Sequence, residues 1–121
     1  MFDKSTWIQL PRNVLVGHGV LDELADAVDE LYLTGRPFLV TSPTPNDIAG
    51  DAVRAQFDDP ASVTIETASF ESVERVVAAA EAADAGYLVA LGGGKVIDTA
   101  KMASDSLDCG FVSVPTAASH D

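Results

Sequence analysis

The sequence predicts an α/β domain with a doubly wound parallel sheet, and three observations lead to this fold class. Strand patterns and helix patterns alternate along the whole chain. Several strands are continuous apolar runs, which is typical of strands that are covered on both faces. The connections are short, and the 121 residues show no internal repeat, low-complexity run or linker. Strands that alternate with helices form parallel sheets with helices on both faces, so we treat residues 1–121 as one domain.

The pattern predicts five strands. They cover residues 13–19, 37–42, 62–68, 87–91 and 111–117. The first is a short run that ends in a turn, and the second is an apolar run opened by Pro37. The third is β-branched and alternating. The fourth is apolar throughout, and Pro115 ends the fifth.

A helix follows each of the first four strands. The first three cover residues 20–33, 44–57 and 70–84, and the fourth begins after the glycines at 92–94. The first has an apolar stripe at helical spacing. The second is predicted to start with Thr44 as N-cap and Pro45 in the first turn, and the third with Ser69 as N-cap. The residues expected to share an apolar face are Phe70, Val73, Val77 and Ala80 in the third helix and Val96, Ala100, Ala103 and Leu107 in the fourth.

The composition narrows the classes of function. The chain has 19 acidic and 7 basic residues, and its formal net charge is −12. Phosphate groups repel such a surface, which argues against nucleic acid and anionic membranes as partners. No apolar run approaches the roughly 20 residues of a membrane helix, and no apolar signal core is present, so we expect a cytoplasmic protein without membrane insertion. Scarce lysine and abundant acids suggest adaptation to a salty cytoplasm, where ions screen self-repulsion.

One stretch, LGGGKVIDTAK at 91–101, carries the strongest functional signal. A buried strand runs directly into three glycines and Lys95, and two of the three lysines in the chain lie here. Glycine lets the backbone approach a ligand closely, and a helix N-terminus with a lysine favours an anion. The alternative is a tight turn with a surface lysine. Asp98 lies one helical turn further on, where it either belongs to this site or complements the helix N-terminus.

Two other stretches are less specific. GHG at 17–19 is followed by Asp22, an acid that would repel a phosphate, so we interpret it as a turn. The last strand ends in VPTAASHD, where Thr116 and Ser119 place hydroxyl groups beside the glycine turn. One histidine and one aspartate at 120–121 do not make a metal site.

These motifs together resemble a known family. GGGKVIDTAK at 92–101 and VPTAASHD at 114–121 are similar to the iron-containing alcohol dehydrogenase superfamily. LPRNVLVGHGVLDEL at 10–24, together with SHD at 119–121, resembles its archaeal sn-glycerol-1-phosphate dehydrogenases. The resemblance runs collinearly over nearly the whole chain. It implies a Rossmann-like domain that binds NAD or NADP, in an enzyme that reduces dihydroxyacetone phosphate to sn-glycerol 1-phosphate for archaeal ether lipids.

The resemblance also implies roles for individual residues. The cofactor pyrophosphate would bind at Gly94, Lys95, Val96, Ile97 and Asp98, and the nicotinamide side would be lined by Thr116, Ala117, Ala118 and Ser119. Asp121 falls at a substrate contact. Ser42 stands where glycerol dehydrogenases carry an acid that pairs with the adenosine ribose hydroxyls. Without that acid a 2′-phosphate is not repelled, and Ser42 and Thr44 can donate hydrogen bonds to it, so we predict that NADPH binds at least as well as NADH.

The family pattern extends beyond what this sequence contains. The resemblance implies a helical second domain that holds zinc through one aspartate and two histidines, and we expect that domain to be absent from this chain. We therefore assign no catalytic residue and no metal ligand here, and we expect the 121 residues alone to be inactive. A glycerol dehydrogenase-like enzyme and a non-catalytic nucleotide-binding module are the alternatives. A homo-oligomer is compatible with either.

Overall fold

A sheet of four parallel strands forms the centre of the computed structural model, which describes residues 34–57 and 60–114. The strands are β1 (Arg36–Thr41), β2 (Ala61–Thr64), β3 (Ala85–Leu91) and β4 (Gly110–Val114). Their order across the sheet is β2-β1-β3-β4, and each neighbouring pair is parallel. The predicted parallel sheet is confirmed, whereas the predicted first strand and first helix lie outside the described residues.

Both faces of the sheet are buried, which explains why the strands read as continuous apolar runs. Successive side chains of a strand point to opposite faces, and they enter two separate cores. One core contains Leu39, Val89, Leu91, Val112 and Val114. The other contains Phe38, Val40, Leu88, Ala90 and Phe111. The sheet is therefore doubly wound, as the sequence predicts.

Helix α1 covers the first core and follows β1 almost at once. It consists of an α-helical turn (Pro43–Pro45), a π-helical segment (Asn46–Gly50) and a further α-helical segment (Asp51–Gln56). The predicted N-cap, Thr44, is wrong, because Ser42 takes the extended N-cap conformation and Pro43 stands at the first helical position. The fixed φ of proline suits that position, so the helix begins two residues earlier.

Helix α2 (Phe70–Ala82) covers the second core, with Ser69 as its N-cap as predicted. The Ser69 Oγ accepts a hydrogen bond from the Ser72 backbone N–H at 3.1 Å. The predicted buried face is partly wrong, because Phe70 is 77% exposed. The side chains that are buried against the sheet are Ser72, Val76 and Ala80. Ser72 can occupy this face since its hydroxyl donates to the Thr67 carbonyl at 2.6 Å.

Helix α3 (Gly94–Leu107) packs beside α2 on the same face of the sheet. Val96, Ala100 and Ala103 are buried in the predicted register, and Leu107 is half-buried. The helix ends at Asp108, which adopts the left-handed conformation at the C-cap. Helices α2 and α3 therefore lie opposite α1, which leaves the carboxyl ends of the strands between the two helical layers.

Two strands end earlier than the sequence pattern predicts. β2 ends at Thr64 rather than at residue 68, because the chain bends at Glu66 and Thr67 and there joins the start of α2. β4 ends at Val114, and the remainder of the predicted fifth strand lies outside the described residues. Both ends lie at the edge of the sheet where ligands of doubly wound folds bind.

Candidate functional site

The order of the strands creates a crevice between β1 and β3. From β1 the chain passes through α1 to β2 on one side, and from β2 it returns past β1 to β3 through α2. The helices that follow β1 and β3 therefore lie on opposite faces of the sheet. Doubly wound sheets bind ligands at such a switch point, beyond the carboxyl ends of the strands.

The carboxyl ends of the four strands are tied together in one row. Thr64, Thr41, Leu91 and Val114 are register partners across the sheet. The Thr41 Oγ1 donates to the Leu91 carbonyl at 2.9 Å, and the Thr41 carbonyl accepts the Ile65 N–H at 2.8 Å. The loops that leave this edge therefore start from fixed positions.

The glycines that follow β3 have different structural roles. Gly92 is buried, has a φ of +151°, and a Cβ built on it would lie 2.9 Å from Val96 Cγ2 and 3.2 Å from Pro45 Cγ. Gly92 therefore lets α1 and α3 approach each other. Gly94 is exposed, and nothing lies within 4 Å of a Cβ built on it. The open space beside Gly94 is where a ligand can approach the backbone.

The start of α3 offers free hydrogen-bond donors. The Ile97 N–H bonds to the Gly93 carbonyl at 3.0 Å, and no side chain caps the helix at Gly93. The N–H groups of Gly94, Lys95 and Val96 precede that bond, so they have no acceptor within the helix. Free N–H groups and the helix dipole together attract an anion.

Lys95 places a positive charge at the same crevice. Its Nζ donates to the Glu66 carbonyl at 3.0 Å. Glu66 lies in the loop between β2 and α2. The Lys95 side chain therefore links the start of α3 to the loop that follows β2.

The other residues predicted for the pyrophosphate contribute differently. Val96 is buried and Ile97 is half-buried, so their side chains pack in the core and do not face a ligand. The Ile97 N–H is already bonded. Asp98 is exposed on the second turn of α3, where it lines a groove beside α2. Of the five predicted residues, Gly94, Lys95 and Val96 are the three whose backbone N–H groups are available to an anion.

The β1–α1 turn also differs in detail from the sequence-based expectation. Ser42 is only 4% exposed, and its carbonyl accepts the Asn46 N–H at 2.9 Å. Thr44 is exposed in the first turn of α1. A ligand at this end of β1 therefore meets the Thr44 hydroxyl more readily than that of Ser42. The structure shows no carboxylate at either of these two positions.

The remaining predicted site residues, Thr116, Ala117, Ala118, Ser119 and Asp121, lie outside the described residues. The strand that leads to them is nevertheless placed. The Gly92 N–H bonds to the Val114 carbonyl at 3.1 Å. The chain therefore leaves β4 directly beside the glycine turn.

Two features of this edge could not be assigned from the sequence. Arg75 of α2 reaches back to the carboxyl end of β2, where its guanidinium donates to the Thr64 carbonyl at 3.4 Å. The Glu66 carbonyl is the partner of Lys95. In the sequence, Glu66 follows a predicted strand and Arg75 lies on the outer surface of a predicted helix. These positions alone do not indicate that the two residues lie near the site. Their convergence depends on the strand order.

An open groove of about 460 Å³ separates the first turn of α2 from α3. It is lined by Ala68, Ser69, Phe70, Val73, Asp98, Thr99 and Met102. Phe70 is 77% and Met102 is 45% exposed, so the groove is largely apolar with one carboxylate.

The described part of the chain provides no ready metal centre. Within residues 34–57 and 60–114, no three His, Cys, Asp or Glu side chains come together as a possible ligand set. Over the same residues, no helix is long and apolar enough to cross a membrane.

Comparison with known proteins finds similar sequences that share one name. The chain is 74% identical over 121 residues to a glycerol-1-phosphate dehydrogenase (NAD(P)+) of Halorubrum lacusprofundi. It is 66% identical to the enzyme of the same name from Haloquadratum walsbyi, also over 121 residues. Both alignments cover 100% of this chain, which spans 35% of the length of each relative.

Solved structures show the same fold at lower identity. Maleylacetate reductase from Agrobacterium tumefaciens superimposes with a TM-score of 0.72 at 23% identity, covering 88% of this chain and 31% of that protein. A probable glycerol dehydrogenase from Sinorhizobium meliloti gives a TM-score of 0.71 at 24% identity, over 92% of this chain and 30% of that protein. The family model for iron-containing alcohol dehydrogenase matches residues 15–121. The chain therefore belongs to the iron-containing alcohol dehydrogenase family.

Proposed function

We propose that the chain forms the nucleotide-binding part of an NAD(P)-dependent oxidoreductase that reduces dihydroxyacetone phosphate to sn-glycerol 1-phosphate. The observation that carries this proposal is the uncapped start of α3 at the switch point, where Gly94 faces open space and Lys95 bonds to the Glu66 carbonyl in the loop after β2. The names of relatives that are 74% and 66% identical support the choice of reaction.

The described residues fit the pyrophosphate of a dinucleotide. The N–H groups of Gly94, Lys95 and Val96 would donate to the phosphate oxygens, and Gly94 leaves room for them. Lys95 would exchange the neutral Glu66 carbonyl for a charged partner, and a hydrogen bond between charged groups is the stronger one. The bound NAD(P)H supplies the hydride for the reduction. What the chain contributes is a fixed position for the cofactor relative to the sheet.

The two halves of the cofactor would lie on opposite sides of the glycine turn. We assign the adenosine to the side of β1, where Thr44 is exposed. We assign the nicotinamide to the side of β4, where the chain leads to Thr116, Ala117, Ala118 and Ser119. In this arrangement Asp121 contacts the substrate. The order of β1, β3 and β4 supports this direction.

We assign the metal ligands implied by the family to the part of the relatives' length that this chain does not cover. Residues 34–57 and 60–114 contain no group of three candidate ligands. The proposal places the enzyme in the cytoplasm, with dihydroxyacetone phosphate as a small-molecule partner.

The reaction can be tested with the complete gene product. The rate of NADPH oxidation is measured with dihydroxyacetone phosphate and with dihydroxyacetone as alternative substrates. We expect kcat/KM to be at least about 100-fold higher for the phosphorylated substrate, because buried groups that bind a phosphate are left unpaired by the analogue without it. A preference for dihydroxyacetone would indicate a glycerol dehydrogenase instead. Cofactor binding without oxidation of NADPH on either substrate would indicate a non-catalytic module.

A further inference from the structure

We propose that Arg75 binds the 2′-phosphate of NADP(H) at the carboxyl end of β2, and that it thereby sets the preference for NADP(H) over NAD(H). This inference rests on the proposed function, since it concerns the adenosine half of the same cofactor. Arg75 is then a specificity-determining residue on α2, a helix to which the sequence motifs assign no role.

The first observation is the convergence of two cations on one short segment. The Arg75 guanidinium donates to the Thr64 carbonyl at 3.4 Å, and the Lys95 Nζ donates to the Glu66 carbonyl at 3.0 Å. Thr64 and Glu66 are separated by a single residue. Arg75 and Lys95 come from different helices, and both side chains are exposed. Two of the 7 basic residues of the chain therefore reach the same short segment.

The second observation is the position of this segment relative to the glycine turn. The order β2-β1-β3 places β1 between them, so the end of β2 lies about two strand spacings, or roughly 10 Å, from the start of α3. We place the pyrophosphate at the glycine turn and the adenosine over the carboxyl end of β1. The adenosine ribose is then next to the carboxyl end of β2. A phosphate attached to the adenosine ribose then lies within reach of the Arg75 side chain.

The third observation is that Arg75 and Lys95 now bond only to uncharged acceptors. Both cations donate to neutral backbone carbonyls in exposed positions. A phosphate oxygen is a better acceptor, because hydrogen bonds between charged groups are shorter and about twice as strong as neutral ones. The planar guanidinium of Arg75 can also bind a phosphate through two parallel bonds. Both side chains therefore gain by exchanging a carbonyl for a phosphate.

Acidic residues also lie near the end of β2. Glu66 lies in the loop itself, and Glu71 and Glu74 lie on the first turns of α2. All three residues are exposed, so their side chains can remain in solvent when an anion binds. Their charge still opposes a phosphate. We expect Lys95 alone to serve both cofactors through the pyrophosphate, and Arg75 to matter for the extra phosphate.

The test compares Arg75→Gln with Arg36→Gln in the complete gene product. Arg36 is exposed at the opposite, amino end of β1, so its replacement removes the same charge away from the site. Dissociation constants for NADPH and NADH are measured at one ionic strength. We expect Arg75→Gln to weaken NADPH binding about tenfold, the scale of a charged hydrogen bond, while NADH changes less than about twofold. Arg36→Gln should leave both constants nearly unchanged.

A second measurement uses the unmodified protein and does not depend on the folding of a variant. Adenosine 2′,5′-bisphosphate and 5′-AMP are compared as competitors of the bound cofactor, and we expect the bisphosphate to bind more tightly. Equal binding of the two competitors, or equal losses of NADPH and NADH in Arg75→Gln, would overturn the assignment while leaving the proposed function intact. Failure of the unmodified protein to bind either cofactor would overturn both.

Discussion

Gly92 and Gly94 show how much neighbouring residues of one type can differ. Gly92 lies between Val96 and Pro45 with a positive φ, whereas Gly94 faces open space. Gly92 is required for the packing of α1 against α3, whereas Gly94 is accessible to a ligand. A run of three glycines in a sequence does not distinguish these roles, because the difference depends on where α1 meets α3.

Alanine at these two positions should therefore have opposite consequences. Gly92→Ala should lower the free energy of unfolding by about 1–3 kcal/mol, since the added Cβ overpacks the contact with Val96. Gly94→Ala should change it by less than about 0.5 kcal/mol but weaken NADPH binding. Urea denaturation and NADPH titration of both variants measure the two effects. A stable Gly92→Ala or a Gly94→Ala with full NADPH affinity would contradict these roles.

Lys95 could be predicted as a site residue from the sequence, but its contact could not. Lys95 stands out because lysine is rare in the chain and follows three glycines at the end of an apolar strand. Its partner, the Glu66 carbonyl, lies 29 positions away in sequence. That contact follows from the strand order, which an alternation of strands and helices does not determine. The burial of Ser42 is likewise a consequence of the helix start at Pro43.

At the scale of elements, the start and orientation of the helices were the least predictable features. The sequence predicts the existence of α1, α2 and α3, and the structure confirms them. The buried face of α2 is rotated relative to the expectation, since Ser72 is buried and Phe70 is not. The pattern of apolar residues does not predict that the Ser72 hydroxyl donates a hydrogen bond to the Thr67 carbonyl. A polar residue with such a partner can occupy a buried position.

The orientation of α2 leads to a direct comparison of two truncations. Val76 is 0% exposed and Phe70 is 77% exposed. Val76→Ala should lower the free energy of unfolding by about 1–3 kcal/mol, because it removes buried methyl groups and leaves a cavity. Phe70→Ala removes a larger side chain but should cost less than about 0.5 kcal/mol. If chemical denaturation gives the larger loss for Phe70→Ala, the orientation of α2 described above is wrong.

At the scale of the whole molecule, charge is the dominant feature. The formal net charge is −12. Within residues 34–57 and 60–114, the acidic residues are all exposed. The ion pair between Arg54 and Asp51 is long, at 3.8 Å, and Asp51 is exposed. Such pairs contribute little to stability, so repulsion among the carboxylates is relieved mainly by dissolved ions.

The protein should therefore be more stable in salt than in dilute buffer. Thermal unfolding is followed at low ionic strength and in molar potassium chloride, and we expect the midpoint to rise with salt as repulsion is screened. Repeating the measurement with sucrose in place of salt separates screening from general exclusion of a cosolvent from the surface. An unfolding midpoint that is equal in dilute buffer and in molar salt would contradict the adaptation inferred from composition.

The fold class of the whole molecule followed from the sequence, and the geometry of its site followed only in part. Apolar strands alternating with helices predicted a doubly wound parallel sheet, which the structure confirms. The order β2-β1-β3-β4 was not predictable, because the same alternation is compatible with several strand orders. That order brings Ser42, Lys95 and the end of β2 to one crevice.

The start of α3, with Lys95, is proposed to bind the phosphates of a dinucleotide. The most direct measurement is the dissociation constant of NADPH for Lys95→Ala, with Lys95→Arg as a control that keeps the charge. We expect Lys95→Ala to weaken NADPH binding about tenfold or more, the scale of a charged hydrogen bond, and Lys95→Arg to retain most of the affinity. An unchanged dissociation constant in Lys95→Ala would contradict the claim.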